Sequence, residues 1–212
     1  MQLSRAIRFV LNPRALTCAY RLVTSGYLIE SGWLNSYYLA RPVDAKGNTI
    51  PWLTLPFLDF IRPRLKPQFD LLEFGAGNST IFFSNHVGST TSIESSKEWA
   101  MFVQGRVQGK KVTIFECAPP QYWEVVDSFT GAYDIVLVDG IERFQCTQKA
   151  LRVVKSDGVI VLDNSYRSEY SSIYKLLADR GWKHIDFTGL APGARHSNQT
   201  TVFYRESNCL GI

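Results

Sequence analysis

From residue 69 onward, short apolar runs alternate with longer stretches whose apolar positions recur every three or four residues. The runs predict strands at 71–74, 91–94, 112–117, 133–139, 159–163, 184–188 and 201–204. The intervening pattern predicts helices at 81–86, 97–106, 122–129, 144–154 and 171–180. Strands that alternate with helices form a mostly parallel sheet with helices on both faces, an α/β fold. The last two strands are joined by Leu190-Ala-Pro-Gly-Ala-Arg-His-Ser-Asn-Gln199, which has no helical period. A hairpin with the last strand antiparallel is expected there.

The first 68 residues read differently, as a helical and irregular extension before a domain spanning 69–212. Leu3, Ala6, Ile7, Val10 and Leu11 share one face of a short helix, and Asn12-Pro13 ends it and starts another. Leu16, Ala19, Tyr20, Val23 and Tyr27 continue the spacing. Two expectations follow: a helix pair packed on the domain, or a basic amphipathic anchor giving peripheral membrane contact through residues 1–29. Residues 30–56 mix aromatics with turn formers and read as irregular structure, a roof over a pocket. Phe57, Leu58, Phe60, Ile61 and Leu65 suggest one more helix, interrupted at Pro63.

Composition narrows the class. The chain has 212 residues, 45% hydrophobic and 20% charged, as in an ordinary globular protein of one domain with a modest extension. With no membrane-length apolar run and no cleavage-site pattern near the start, the expected location is cytoplasmic, with a peripheral membrane position as the variant. The four cysteines are widely spaced and suggest neither a zinc site nor a disulfide framework. Of the net charge of +4, all lies in residues 1–29, which hold four arginines and no acid. The body carries no basic stripe interleaved with aromatics, so no nucleic-acid partner is expected.

The chemistry centres on Glu73-Phe-Gly-Ala-Gly-Asn-Ser-Thr80. Gly75 and Gly77 permit backbone conformations and close approaches that a Cβ forbids, while Asn78, Ser79 and Thr80 can begin a helix whose N–H groups face a ligand. A dinucleotide fingerprint needs a third glycine three residues after the second, and Thr80 holds that place. Glu73 favours a cation over a pyrophosphate. Glu94, seventeen residues after Gly77, ends the second predicted strand where open α/β sheets bind ribose hydroxyls.

This turn resembles the first motif of class I S-adenosylmethionine-dependent methyltransferases, and the resemblance extends over roughly residues 69–205. It implies a Rossmann-like seven-stranded sheet and S-adenosyl-L-methionine as cofactor. The cofactor site would comprise Glu73, Gly75, Gly77, Asn78, Ser79, Glu94, Glu116 and Asp139. Val136-Leu-Val-Asp-Gly140 and Val159-Ile-Val-Leu-Asp-Asn164 close the fourth and fifth strands in the family's manner. Asp139, Asp163 and Asn164 are thus the candidate catalytic residues.

The same trio resembles the divalent-metal site of catechol and caffeoyl-coenzyme A O-methyltransferases, which implies Mg²⁺ on Asp139, Asp163 and Asn164. Those enzymes carry a lysine where this chain has Glu142. The competing expectation is a structural network with Arg143 or Arg167, because a buried carboxylate needs a partner. No Asn-Pro-Pro-Tyr or Asp-Pro-Pro-Tyr follows the fourth strand, which argues against amino methylation of nucleic acid. The run from Asp139 to Arg167 looks closer to O-methyltransferases of small molecules or saccharides, so the expected partner is a small-molecule or saccharide acceptor. The rival classes are a Rossmann-type NAD(P)-dependent oxidoreductase and a non-catalytic module that keeps the cofactor fold for binding.

Overall fold

Seven strands make one sheet: β1 (Asp70–Phe74), β2 (Ser89–Glu94), β3 (Val112–Glu116), β4 (Tyr133–Val138), β5 (Val154–Asp163), β6 (Lys183–Leu190) and β7 (Ser197–Tyr204). Their order is β3-β2-β1-β4-β5-β7-β6. The structure, a computed structural model, describes residues 2–212, with side chains described from residue 6 onward. β3, β2, β1, β4 and β5 pair in parallel, and β7 runs antiparallel between β5 and β6. The chain winds outward through β2 and β3, then returns to place β4 on the other side of β1. That reversal opens a crevice at the carboxyl ends of β1 and β4, the usual ligand position in such sheets.

The helices are α1 (Gln2–Val10), α2 (Pro13–Thr24), α3 (Tyr27–Glu30), α4 (Trp33–Leu39), α5 (Leu55–Ile61), α6 (Asn78–Phe83), α7 (Lys97–Gln104), α8 (Gln121–Glu124), α9 (Arg143–Val153) and α10 (Ser171–Ala178). Alternation along each strand splits the core between the two faces of the sheet. Leu72, Val136, Ile160 and Phe203 pack with Tyr122, Cys146, Ile173 and Leu177 from α8, α9 and α10. Leu71, Ile135, Val161 and Val202 pack with Phe57, Leu58 and Ile61 of α5 and Phe82 and Phe83 of α6. Each such side chain removed from water contributes roughly 2 kcal/mol of transfer free energy. All six residues of β4 are buried, as a strand covered on both faces requires.

Beyond shifts at the ends of other elements, such as α6 at 78–83 where 81–86 is expected, three departures are informative. β5 starts at Val154, before the expected 159, because Val154 pairs with Tyr133 ahead of a register irregularity that ends at Ile135 and Val159. β7 starts at Ser197, before the expected 201. Its polar first half, Ser-Asn-Gln-Thr, hides the strand from a hydrophobic pattern, yet Thr188, Gly189 and Leu190 pair with Gln199, Asn198 and Ser197. Residues 30–56 are not wholly irregular: the Ser36 hydroxyl donates to Gly32 O (2.8 Å) and accepts the Val43 N–H (2.9 Å), tying α4 to the returning chain. Trp33 and Tyr37, one turn apart on α4, stack with centroids 5.9 Å apart.

The N-terminal helix pair is not packed on the domain. No residue of α2 is buried, and its neighbours are α1 and α3. Among the described residues, Ile7, Val10 and Leu11 of the α1 segment and Leu16, Tyr20 and Val23 of α2 therefore remain uncovered. No helix among the described residues is long and apolar enough to cross a membrane.

Candidate active site

β1 ends in a turn whose backbone lies against the end of β4. Gly75 has φ +98°, and a Cβ placed there would sit 3.0 Å from Gly140 Cα. Its N–H donates to Ile93 O (2.8 Å), and the Asp139 N–H donates to Phe74 O (3.0 Å), so both turns are fixed by the sheet itself. Gly140 is equally constrained, since a Cβ on it would meet the Tyr122 hydroxyl at 1.8 Å. Two bare backbones thus approach where any side chain would intrude.

Thr80, which replaces the third glycine of a dinucleotide turn, holds the loop from inside. Its hydroxyl accepts the Gly77 N–H (2.8 Å) and donates to Glu73 Oε1. Ser92 donates to the same oxygen at 2.5 Å. Glu73 is fully buried beneath the turn, and its Oε2 has no protein partner. Burial raises its pKa from the ordinary 4.5 to about 7, against the pull of the hydroxyl hydrogen bonds.

Above the turn lies a cavity of about 370 Å³ lined by Gly75 to Ser79, Glu94, Ser95, Trp99, Tyr122, Asp139 to Ile141 and Trp52. Glu94 Oε2 accepts the Ala76 N–H (3.1 Å), and Oε1 accepts the Ser96 N–H (2.8 Å). Oε1 also accepts the Ser95 hydroxyl (3.4 Å), whereas Oε2 keeps a lone pair for a hydroxyl donor. Trp99 reaches back from α7 to donate its indole N–H to Ala76 O at 2.6 Å, which fixes a broad ring beside Glu94. Trp52 closes the cavity from the N-terminal segment and donates its indole N–H to Pro192 O (3.0 Å) in the β6–β7 connection.

At the other wall, Arg143 gathers the ends of β4 and β5. Its guanidinium donates to Gly140 O (2.9 Å), to Asp139 O (3.0 Å), to Asp139 Oδ1 (3.1 Å) and to Asp163 O. Strand-end carbonyls that no further strand can satisfy are satisfied here by one rigid donor fork. Asp139 keeps 28% of its side-chain surface exposed and faces the cavity. Burial, and after it the charge of Asp163, push its carboxyl above the usual carboxylate range, while Arg143 opposes them.

The structure therefore gathers most, not all, of the expected residues. Gly75, Gly77, Asn78, Ser79, Glu94 and Asp139 line one cavity; Glu73 lies under its floor. Glu116 is exposed and lines a separate groove with Ala100, Met101 and Gln104. Asp163 is buried and turned toward β7, where Oδ1 accepts the Thr200 hydroxyl at 2.7 Å. Asn164 follows it in a left-handed conformation, φ +48°.

These residues do not fit a divalent cation. Asp139 is engaged by Arg143 and Asp163 by Thr200, and the positive charge between the two strand ends is the guanidinium. The expected structural network is thus the one found, with Arg143 rather than Arg167 as its cation. Trp99 and Tyr122 are unexpected members of the site, and Thr80, expected as a helix-starting residue, ties the turn to Glu73 instead of facing the cavity. Thr80 had a signal, its place in the glycine spacing; Trp99 and Tyr122 act through contacts distant in sequence.

No protein-family model matches the sequence, and no curated protein is detectably similar to it. Solved structures do match. The O-methyltransferase from Bacillus cereus in complex with S-adenosylhomocysteine superposes with a TM-score of 0.62 at 14% identity, over 89% of this chain and 96% of that one. TomG from Streptomyces achromogenes, an O-methyltransferase involved in tomaymycin synthesis and solved with S-adenosylmethionine, gives 0.59 at 17% identity, over 88% and 94%. Precorrin-6y C5,15-methyltransferase from Geobacter metallireducens gives 0.59 at 18% identity, over 71% and 87%. The chain has the Rossmann-like fold of class I S-adenosylmethionine-dependent methyltransferases, with the strand order and antiparallel β7 described above.

Proposed function

We propose that this protein is an S-adenosylmethionine-dependent methyltransferase acting on an oxygen atom of a small molecule or a sugar-containing precursor. The observation that carries this reading is the meeting of the bare Gly75 and Gly140 backbones beneath a cavity flanked by two carboxylates, Glu94 and Asp139. A positively charged nucleoside suits such walls, whereas a pyrophosphate would be repelled by both acids. Four of the structural neighbours were solved with the methyl donor or its demethylated product, and two of those four are named O-methyltransferases.

When bound, the cofactor supplies an activated methyl group on a sulfonium. The chain's residues then have three tasks. Glu94 accepts hydrogen bonds from the ribose hydroxyls, with its carboxylate already oriented by the Ala76 and Ser96 N–H groups. Trp99 and Trp52 shield the cavity from water. Asp139 is the candidate catalytic carboxylate that faces the cavity, and it takes the proton of an acceptor hydroxyl as the oxygen forms its bond to carbon. Much of the acceleration comes from holding acceptor and donor in line, so few reactive side chains are needed.

Titration calorimetry separates this reading from a nicotinamide enzyme: S-adenosylhomocysteine binds and NADH does not. Labelled methyl transfer to cell-extract compounds then identifies the acceptor, and turnover persists in excess EDTA because Arg143 supplies the charge. Binding of NADH in place of S-adenosylhomocysteine would overturn the proposal.

A further inference from the structure

The two N-terminal helices carry faces that nothing among the described residues covers. On α2, Leu16, Ala19, Tyr20 and Val23 fall on one side, and Arg14, Thr17, Arg21 and Thr24 on the other. Ile7, Val10 and Leu11 extend the apolar side onto α1. Val10, Leu11 and Tyr20 are 62%, 76% and 68% exposed, so packing within the domain does not explain the pattern. Thr17 and Thr24 donate their hydroxyls to the helix's own carbonyls, Pro13 O (2.9 Å) and Tyr20 O (2.8 Å), and so need no water.

The charge of this segment points to the occupant. Residues 1–29 hold four arginines and no acid, and among the described residues Arg8, Arg14 and Arg21 form no ion pair. We propose that α1 and α2 dock on an anionic lipid bilayer surface, apolar sides in the boundary between headgroups and acyl chains, arginines among the phosphates. At about 1.5 Å per residue, helices of 9 and 12 residues are far shorter than a bilayer core, so they lie in its plane. A second copy of the chain fits less well. A two-fold pairing would bring arginine-bearing helices together with no acid on either.

Vesicle co-sedimentation of the full chain tests the proposal, using phosphatidylglycerol–phosphatidylcholine vesicles and phosphatidylcholine alone. The protein pellets with the anionic vesicles and not with the neutral ones. The triple variant R8Q/R14Q/R21Q binds the anionic vesicles about 100-fold more weakly, since each basic residue near such a surface contributes a roughly equal share. The variant L16E/V23E does not pellet at all. Both variants keep the native thermal midpoint, because the altered side chains are exposed. The proposal is overturned if the wild-type chain stays in the supernatant, or if R8Q/R14Q/R21Q pellets equally well. It is also overturned if lipid-free velocity sedimentation shows a dimer that L16E/V23E dissociates, which assigns the face to a second copy.

Discussion

Replacing Glu73 by glutamine tests whether burial of this carboxyl governs how stability depends on pH. In the native state its pKa is raised from 4.5 to about 7, with desolvation as the first cause. The folded chain therefore holds a proton that the unfolded chain has released, over the window between those two values. Unfolding releases that proton, so ΔG of unfolding falls as pH rises from about 4.5 to about 7 and levels off above. Integrated from pH 5 to pH 8, the Glu73 contribution is a loss of about 2 to 3 kcal/mol. Glutamine keeps an oxygen to accept from Thr80 and Ser92, places an amide where Oε2 has no partner, and cannot ionise. Urea denaturation of both proteins at pH 5 and pH 8 gives the double difference, in which every other titrating group cancels. Glu73→Gln gains on the wild type by about 2 to 3 kcal/mol between those pH values. Parallel pH profiles would refute the reasoning, for they would mean that Glu73 titrates alike in the folded and unfolded chain.

Gly140→Ala collides with the Tyr122 hydroxyl and lowers the thermal midpoint; adding Tyr122→Phe removes the oxygen at 1.8 Å and leaves the ring carbon at 3.0 Å, so the double variant recovers part of the loss. Failure of Tyr122→Phe to rescue would place the constraint elsewhere. Gly75→Val abolishes S-adenosylhomocysteine binding by calorimetry, and Glu94→Ala weakens it by roughly 1 to 3 kcal/mol through lost charge-assisted hydrogen bonds; unchanged affinity in both would move the site. Arg143→Met strips four acceptors of their donor and destabilises the chain by roughly 3 to 5 kcal/mol in chemical denaturation. A change below about 1 kcal/mol would show water replacing the guanidinium without penalty.

How much of this was legible depends on where each residue's partner lies. Ile135 to Val138 of β4 form an apolar run, and Leu71, Leu72 and Phe74 flank Glu73 in β1, because both faces of each strand are covered; such patterns need no knowledge of the partner. The cradle glycines and Glu94 were readable because their role depends on local backbone and on spacing along one βαβ unit. Arg143 was visible only as a nearby cation; that it gathers β4 and β5 depends on the register between those strands. Glu116 matched the expected strand end, but β3 lies two strands from β1, about 10 Å at the usual spacing, and its acid opens on another groove. Trp99 could not be read from its helix, since its acceptor, Ala76 O, belongs to a turn on a different strand. The stacked pair on α4 was masked by the serines, glycines and prolines around it.

The indole N–H groups of Trp33 and Trp52 both end on the loop between β6 and β7, at Ala194 O (2.8 Å) and Pro192 O (3.0 Å). At Trp52, on the rim of the cavity, the N-terminal segment is thus latched to a loop 140 positions away by side-chain hydrogen bonds instead of by a strand pairing, with Thr54 adding bonds to Thr200 and Phe187. Such a latch can open while the seven strands stay intact, because no ladder bond is broken. A protease cut in the exposed 45–48 turn would separate Trp33 from Trp52 along the chain while leaving the Gly75–Gly77 turn in place. Access to the cavity past Trp52 can therefore change without disturbing the strands that carry Gly75, Gly77 and Glu94.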